Sequence, residues 1–480
     1  AAIEAGRTAK SWTLPLQAMR IGDAGFAGIG GELFAEFGEQ VARCGALPHT
    51  FVVALANGCA GYFASRAAYE QDAYEAVGCP RYVGLQAYAP GAGERVGAAC
   101  VEMLHRLEHL SRNPASRELW SRACNVIVGG GQAHKRPVQY LYRGGPAFAT
   151  RAKGARFRDA DGNEYIDYLL AYGPIVLGHA DDDVAAAVRE QMARGGLFSV
   201  EHPLAVELAE QLIELIPSAE MVRYFVGGSS AVLGAVRCAR AFTGRQSIIR
   251  CGYHGWFDWC RPADPGSAVL QREVSFEVPY GDLEALSERL EGCAGDAAAV
   301  VIEAVQGGGP PEGYFDGVRR LCDEHGAVFV LDEIKTGFRF HLGGAQALLG
   351  IEPDVSAFGK AMCNGLPGSV LVGRRRVLED RADTFLAATF HAELLSLAAA
   401  QTVIRVLRER SGIEHFHTLG RRLMDGINEV FRDAELPCRV IGLPPMPTPT
   451  ETAPDDAETP MTPRFKGRAL REFCAACQRR

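Results

Sequence analysis

Between residues 221 and 333 short, almost wholly apolar runs alternate with longer segments of helical period. "MVRYFV" (221–226), "QSIIRC" (246–251), "AAVVIEAV" (298–305) and "AVFVLDE" (327–333) are too short and too continuously apolar for surface helices. "AVLGAVRCARAF" (231–242) instead places Val232, Ala235, Val236 and Ala239 on one helical stripe, and "FDGVRRLCDEHG" (315–326) reads as a second helix. Strands that are apolar on both faces, separated by helices, predict a parallel α/β sheet covered on both sides. With 480 residues, the chain is too long for one ordinary core.

Three stretches differ in character. Residues 1–120 carry glycine-broken apolar runs and a long helical run, "GERVGAACVEMLHRLEHL", and read as a separate α/β segment. Residues 121–375 hold the strand–helix alternation. Residues 376–480 are expected to form a small C-terminal domain, incomplete at its end, with a proline- and threonine-rich stretch at 444–463 that favours an extended loop. A net charge of −8 argues against a nucleic-acid partner, and no apolar run approaches the ~18 residues of a membrane span. The N-terminus has no basic-then-apolar signal pattern and no Met, as in a processed or cropped end. The 14 scattered cysteines fit reduced thiols, so a cytoplasmic location is expected. The pair Cys474 and Cys477 lacks the partners of a zinc site.

The chain has six lysines against 44 arginines, which makes Lys360, in the uncharged setting "DVSAFGKAMCNG", conspicuous. In such sheets ligands sit beyond the carboxyl ends of the strands. Asp332 ends one strand, Tyr253 and His254 follow another, and "GGSS" (227–230) lies between a strand and a helix expected to start near Ala231. Glycines that let the backbone close in, hydroxyls and a helix N-terminus make a phosphate cup. A carboxylate placed after five apolar residues needs a cation or donor. A helix cap or structural ion pair would satisfy Asp332 equally. Lysine forms Schiff bases with aldehydes, and these groups together specify pyridoxal phosphate. Lys335, three residues beyond Asp332, points to the opposite face if the strand continues, and Gly359 permits tight turning beside Lys360.

From about residue 125 to 440 the chain resembles the class III aminotransferases, fold type I pyridoxal-phosphate enzymes, and in particular their glutamate-1-semialdehyde aminomutase-like branch. The resemblance is carried by "ARFRDADGNEYIDYLLAYGPIVLGHA", "ARAFTGRQSIIRCGYHGWFD", "LDEIKTGFR", "PDVSAFGKAMCNGLP" and "TFHAELLSLAAA". It implies a mostly parallel seven-stranded sheet with helices on both faces, a small C-terminal domain and a homodimer acting on an amino donor and a carbonyl acceptor. By it Lys360 holds the cofactor as an internal aldimine and Asp332 keeps the ring nitrogen protonated. Tyr253 and Ile334 enclose the ring, and Gly228, Ser229 and Ser230 hold the phosphate. Thr389 reaches a neighbouring subunit's phosphate, and His254 and Glu303 help to bind and orient the cofactor. The chain departs from the family at Gly227, Ser230 and Ala304, where a polar residue, an acid and a proline are usual.

Residues 15–108, with "GGELFAEFGEQV" and "PHTFVVALANGCAGYFASRAAYEQDAYEA", resemble the later part of neutral ceramidases, which are zinc amidases. Glu32 and Tyr69 fall on that family's oxygen ligands, while its two zinc-binding histidines lie upstream, outside this chain. Two oxygens without imidazoles make a poor zinc site, so no metal is expected. The functions that compete are amino transfer through pyridoxal phosphate, zinc-dependent amide hydrolysis by a fragment, and an inactive binding module that retains the cofactor fold.

Overall fold

The computed structural model describes residues 14–132, 146–379 and 384–451, apart from 22–23, 45–46, 48, 57–58 and 83–87. Cys474, Cys477 and the proline-rich stretch beyond Glu451 lie outside the described residues. The chain falls into two compact units. One is built from residues up to Arg151 together with Arg158–Tyr165, the other from Ala152–Phe157 and from Ile166 onward.

The first unit pairs strand Ala24–Ile29 antiparallel with Leu16–Ile21 and parallel with His49–Val53. Its core joins Ala27 and Ile29 to Val41 of the helix Ala35–Cys44 and to Cys100 and Leu104 of the helix Ala92–Arg112. That long helix is the helical run expected from the sequence.

In the second unit the sheet has seven strands. Their spatial order is Ser275–Glu277, Ser247–Cys251, Ala297–Glu303, Val328–Asp332, Val355–Phe358, Ser369–Gly373 and Met221–Phe225. The first five run parallel, while Ser369–Gly373 runs antiparallel to both of its neighbours. The mostly parallel α/β architecture expected from the sequence is therefore the observed one.

Alternation along a single strand shows why both faces are covered. Val328 and Val330 pack with Ala231, Val232, Ala235, Val236 and Ala239 of the helix Gly228–Thr243. Phe329 and Leu331 pack on the other face with Val318, Leu321 and Cys322 of the helix Tyr314–His325. Fully burying a Val, Leu or Phe side chain contributes about 1.5–3 kcal/mol, so a strand with no exposed face is a strong organiser. A third apolar cluster joins Phe358, Met362, Val370 and Val372 to the helices Pro203–Leu215 and Leu394–Glu409. Toward the C-terminus the helix Gly412–Asp433 packs Phe431 on Cys438 and Val440 of a small hairpin. Among the described residues no helix is long and apolar enough to cross a membrane.

Asp354 ties this sheet together just before the strand that leads to Lys360. Its buried carboxylate accepts the Phe329 amide at 2.9 Å and pairs with Arg319 and Arg376, each at 2.9 Å. Burial alone would raise its pKa, but that amide and the guanidinium groups outweigh it and hold it below the usual carboxylate range. A depressed folded-state pKa stabilises the fold above the unfolded value of about 3.9 and ceases to do so as the pH falls through the folded value. Asp354→Ala should cost about 2–3 kcal/mol in urea unfolding at pH 7. The gap to the parent protein should narrow as the pH drops below about 4.

Candidate active site

The carboxyl ends of adjacent parallel strands place two acids side by side, since Glu303 lies level with Asp332 in the ladder. Both side chains are about 95 % buried, so each needs a partner. Asp332 Oδ2 lies 2.8 Å from Nδ1 of His254, and Asp332 Oδ1 accepts the Ile334 amide at 3.0 Å. Nε2 of His254 lies 3.1 Å from the Cys251 carbonyl, which only accepts, so that nitrogen carries a hydrogen. The Nδ1 contact then needs one further proton, on the ring or on the carboxyl. Glu303 pairs with Lys335.

Here the structure corrects an expectation. The strand stops at Asp332, and the Ile334 amide turns back onto the Asp332 carboxylate. Strand alternation therefore does not extend to Lys335. Its ammonium returns to the same end of the sheet, where it pairs with Glu303 and acts electrostatically on Lys360.

The helix of the expected phosphate cup begins at Gly228, three residues earlier than expected, with Gly227 as its N-cap. Gly228, Ser229 and Ser230 are thus its first turn rather than a loop before it. No side chain caps this positive helix terminus; the Ser230 amide donates to the Gly227 carbonyl at 3.0 Å, which leaves the Gly228 and Ser229 amides as the first-turn donors. A Cβ on Gly228 would lie 2.9 Å from the Ile334 side chain. Glycine at 255 is required twice, by a φ of +112° and because a Cβ there would overlap the Ser229 hydroxyl.

These close approaches link the pieces. Ile334 touches the space beside both Gly228 and Gly359, and the Tyr253–Gly255 segment reaches from Ser229 to Asp332. Tyr253 itself is 61 % exposed, an aromatic ring with one side open. Thr389 is exposed on the segment before the helix Leu394–Glu409.

Lys360 follows the strand Val355–Phe358 and opens a short helical turn, Lys360–Cys363. The tight turning expected of Gly359 is borne by Lys360 instead. Gly359 is extended, and its small size is needed because a Cβ would lie 3.2 Å from Ile334 and Ser369. Lys360 has a φ of 43°, a left-handed conformation that costs a non-glycine residue about 1 kcal/mol or more. Burial pushes its ammonium pKa down, the Lys335 charge pushes it further, and Asp332 and Glu303 oppose both. The net direction is down, toward easier loss of the ammonium proton.

Sequence reasoning passed over several residues that contact this site. Arg339 donates to the Gly173 carbonyl at 2.5 Å, and a Cβ on Gly173 would lie 3.8 Å from Lys360 Cδ. Gln306 lies with Glu303 beneath Gly252. Asn364 bonds the backbone at Val176, Leu177 and Gly178. Arg339 stood in the quoted run "LDEIKTGFR", and Gln306 stands three residues after Glu303.

The two residues matched to zinc ligands each have other partners. Glu32 hydrogen-bonds Tyr62, opposite it in the ladder, and Tyr69 interacts with Tyr88 and Glu94. Among the described residues no group of three His, Cys, Asp or Glu side chains is placed to hold a metal.

The donor set fits pyridoxal phosphate: an uncapped helix start for the phosphate, a buried acid with a free lone pair, a partly open aromatic and a poised amine. The family model "Aminotransferase class-III" matches residues 141–261 and 269–457. A 3-aminobutyryl-CoA aminotransferase of Cloacimonas acidaminovorans is 36 % identical over 340 residues, 69 % of this chain and 82 % of that protein. A glutamate-1-semialdehyde 2,1-aminomutase of Archaeoglobus fulgidus is 36 % identical over 365 residues, 70 % of this chain and 86 % of that protein. The FumI protein of Sphingopyxis sp. MTA144, solved as its PLP internal aldimine form, is 31 % identical with a TM-score of 0.67, covering 72 % of this chain and 84 % of its own.

The two-lysine arrangement predicts a pH effect. Lys335→Met removes a cation that disfavours the charged form of Lys360, so the Lys360 pKa should rise toward that of an ordinary lysine. The rate at which cofactor-free protein captures pyridoxal phosphate, followed by absorbance, should then need a higher pH to reach its plateau. An unshifted profile would show that Lys335 does not act on Lys360.

Proposed function

The chain belongs to the class-III aminotransferases, and we propose that it transfers amino groups through pyridoxal phosphate attached at Lys360, as a transaminase or as a 2,1-aminomutase. The observation that carries this reading is convergence. Ile334 stands between the helix start at Gly228 and the turn at Gly359, so phosphate cup, acid and amine share one end of the sheet. When bound, the cofactor supplies an electron sink for the carbon that carries the substrate's amino group.

The chain's residues supply the rest. The first-turn amides at Gly228 and Ser229, with the hydroxyls of Ser229 and Ser230, would hold the phosphate dianion against the helix dipole. Tyr253 covers one side of the ring and Ile334 the other. Asp332, braced by His254, keeps a negative charge beside the ring nitrogen and so favours its protonated form. Lys360, partly buried and with its pKa held down, would hold the cofactor through its amine and would move a proton at the substrate carbon. Glu303 is neutralised by Lys335, which leaves Asp332 as the acid available to the ring. Amino donor and carbonyl acceptor would bind in turn on the open side. An amide hydrolase reading would need a metal site, and among the described residues no group of three His, Cys, Asp or Glu side chains is placed to hold one.

Lys360→Ala should lose both the visible absorbance of the loaded protein and turnover, whereas Lys335→Ala should keep the cofactor. Asp332→Asn should retain cofactor but slow single-turnover amino transfer by about a hundredfold or more. Turnover by Lys360→Ala would sink the assignment.

A homodimer that shares its sites belongs to the same proposal. Thr389 lies between Phe385 and Phe390, which are 73 % and 61 % exposed, and Trp256 near Tyr253 is 73 % exposed, a surface suited to a second copy. Mixing Lys360→Ala chains with Thr389→Ala chains should create one site with both residues intact, and therefore recover cofactor-linked activity. Sedimentation of a loaded monomer at micromolar concentration would rule this out.

A further inference from the structure

Lys360 is not alone in its left-handed backbone. Leu170, Ala171 and Tyr172 have φ of 51°, 54° and 67°, and Gly173 follows at 106°. L-residues rarely enter this region, and three in succession persist only where the surroundings over-determine them. The supports are visible on both sides. Asp167 Oδ1 accepts the amides of Leu169 and Leu170 at 2.9 and 2.8 Å, and its Oδ2 meets His179 at 2.7 Å.

The other supports come from the chemical end of the sheet. Arg339 Nη2 donates to the Gly173 carbonyl. Asn364, which closes the turn opened by Lys360, accepts the amides of Val176 and Leu177 at 2.9 Å each and donates to the Gly178 carbonyl at 3.1 Å. Among the described residues Arg339 forms no salt bridge with a carboxylate, so an ion pair does not account for a guanidinium sunk this far into the protein. What it does hold is the backbone at Gly173. A Cβ there would lie 3.6 Å from Arg339 Nη2 and 3.8 Å from Lys360 Cδ.

We propose that Arg339 and Asn364 are positioning residues that hold Leu170–Gly173 in its left-handed path against the Lys360 side chain, so that the reach of Lys360 is set before a substrate arrives. The inference rests on the reading of Lys360 given above. Its physical basis is that the amine must meet both cofactor and substrate carbon at bonding distance, and a misplacement of about 1 Å costs about a hundredfold in rate. A wall pre-strained and held at both ends leaves no such play.

The test uses Arg339→Gln and Asn364→Gly. Glycine keeps the left-handed turn at 364, where φ is 45°, and removes only the side-chain clamp. Hydrogen exchange at the amides of 170–177 is read in cofactor-free and loaded protein, beside single-turnover amino transfer. Both variants should load cofactor, exchange these amides about tenfold faster or more, and transfer about a hundredfold more slowly. KM for the amino donor should change far less than kcat. Adding Ala171→Gly to Arg339→Gln should recover part of the rate, because glycine takes the left-handed path without being held. Exchange and rate within threefold of the parent in both variants would overturn the proposal. So would a loss of rate without faster exchange. If Arg339→Gln does not fold, Asn364→Gly decides alone. Failure of the underlying reading appears separately, as turnover in Lys360→Ala.

Discussion

A carboxylate at the end of an apolar strand is the constraint on which the site depends. Asp332 follows Val328–Leu331 with no solvent on either face, and a charge there must be met by donors. The protein meets it with His254 on one oxygen and the Ile334 amide on the other. The second contact also ends the strand. By turning the chain back, it places Ile334 between the helix start and Lys360 and brings Lys335 to Glu303. One local hydrogen bond thus decides where the Ile334 and Lys335 side chains lie.

The same end of the sheet gathers charges of both signs: Glu303 and Asp332 against Lys335, Arg339 and Lys360. Their arrangement is unequal. Glu303 and Lys335 neutralise each other directly, whereas Lys360 is left partly desolvated among opposing influences that leave its pKa depressed. A lysine so placed loses its proton more readily than an exposed one, which is consistent with the role proposed for it. In the first unit Glu32 hydrogen-bonds Tyr62, and Tyr69 interacts with Tyr88 and Glu94.

Much of the site was legible because its pieces are local. The helix stripe Val232, Ala235, Val236 and Ala239, the apolar runs, and the positions of "GGSS", Tyr253 and Asp332 at strand ends all follow from periods of two and 3.6 residues, whereas Lys360 stood out by the scarcity of lysine. Boundary errors came from the same source. Periodicity located the helix at Ala231, but its first turn contains no apolar residue, so its true start at Gly228 left no periodic mark. Family resemblance supplied roles for residues such as Thr389 that periodicity does not mark.

By itself the sequence determined the α/β class, and it pointed to Asp332, Tyr253 and "GGSS" at strand ends, since both depend on near neighbours along the chain. The tertiary structure alone decided that Lys335 faces Lys360's end of the sheet, that Lys360 rather than Gly359 takes the left-handed turn, and that Arg339 holds Gly173. The reason is physical. Where a strand ends, side-chain direction is set by the turn that follows and no longer by alternation, and the Arg339–Gly173 bond joins residues 166 positions apart. No local pattern encodes a bond of that span; it exists only once the sheet has brought both ends of the site to one place.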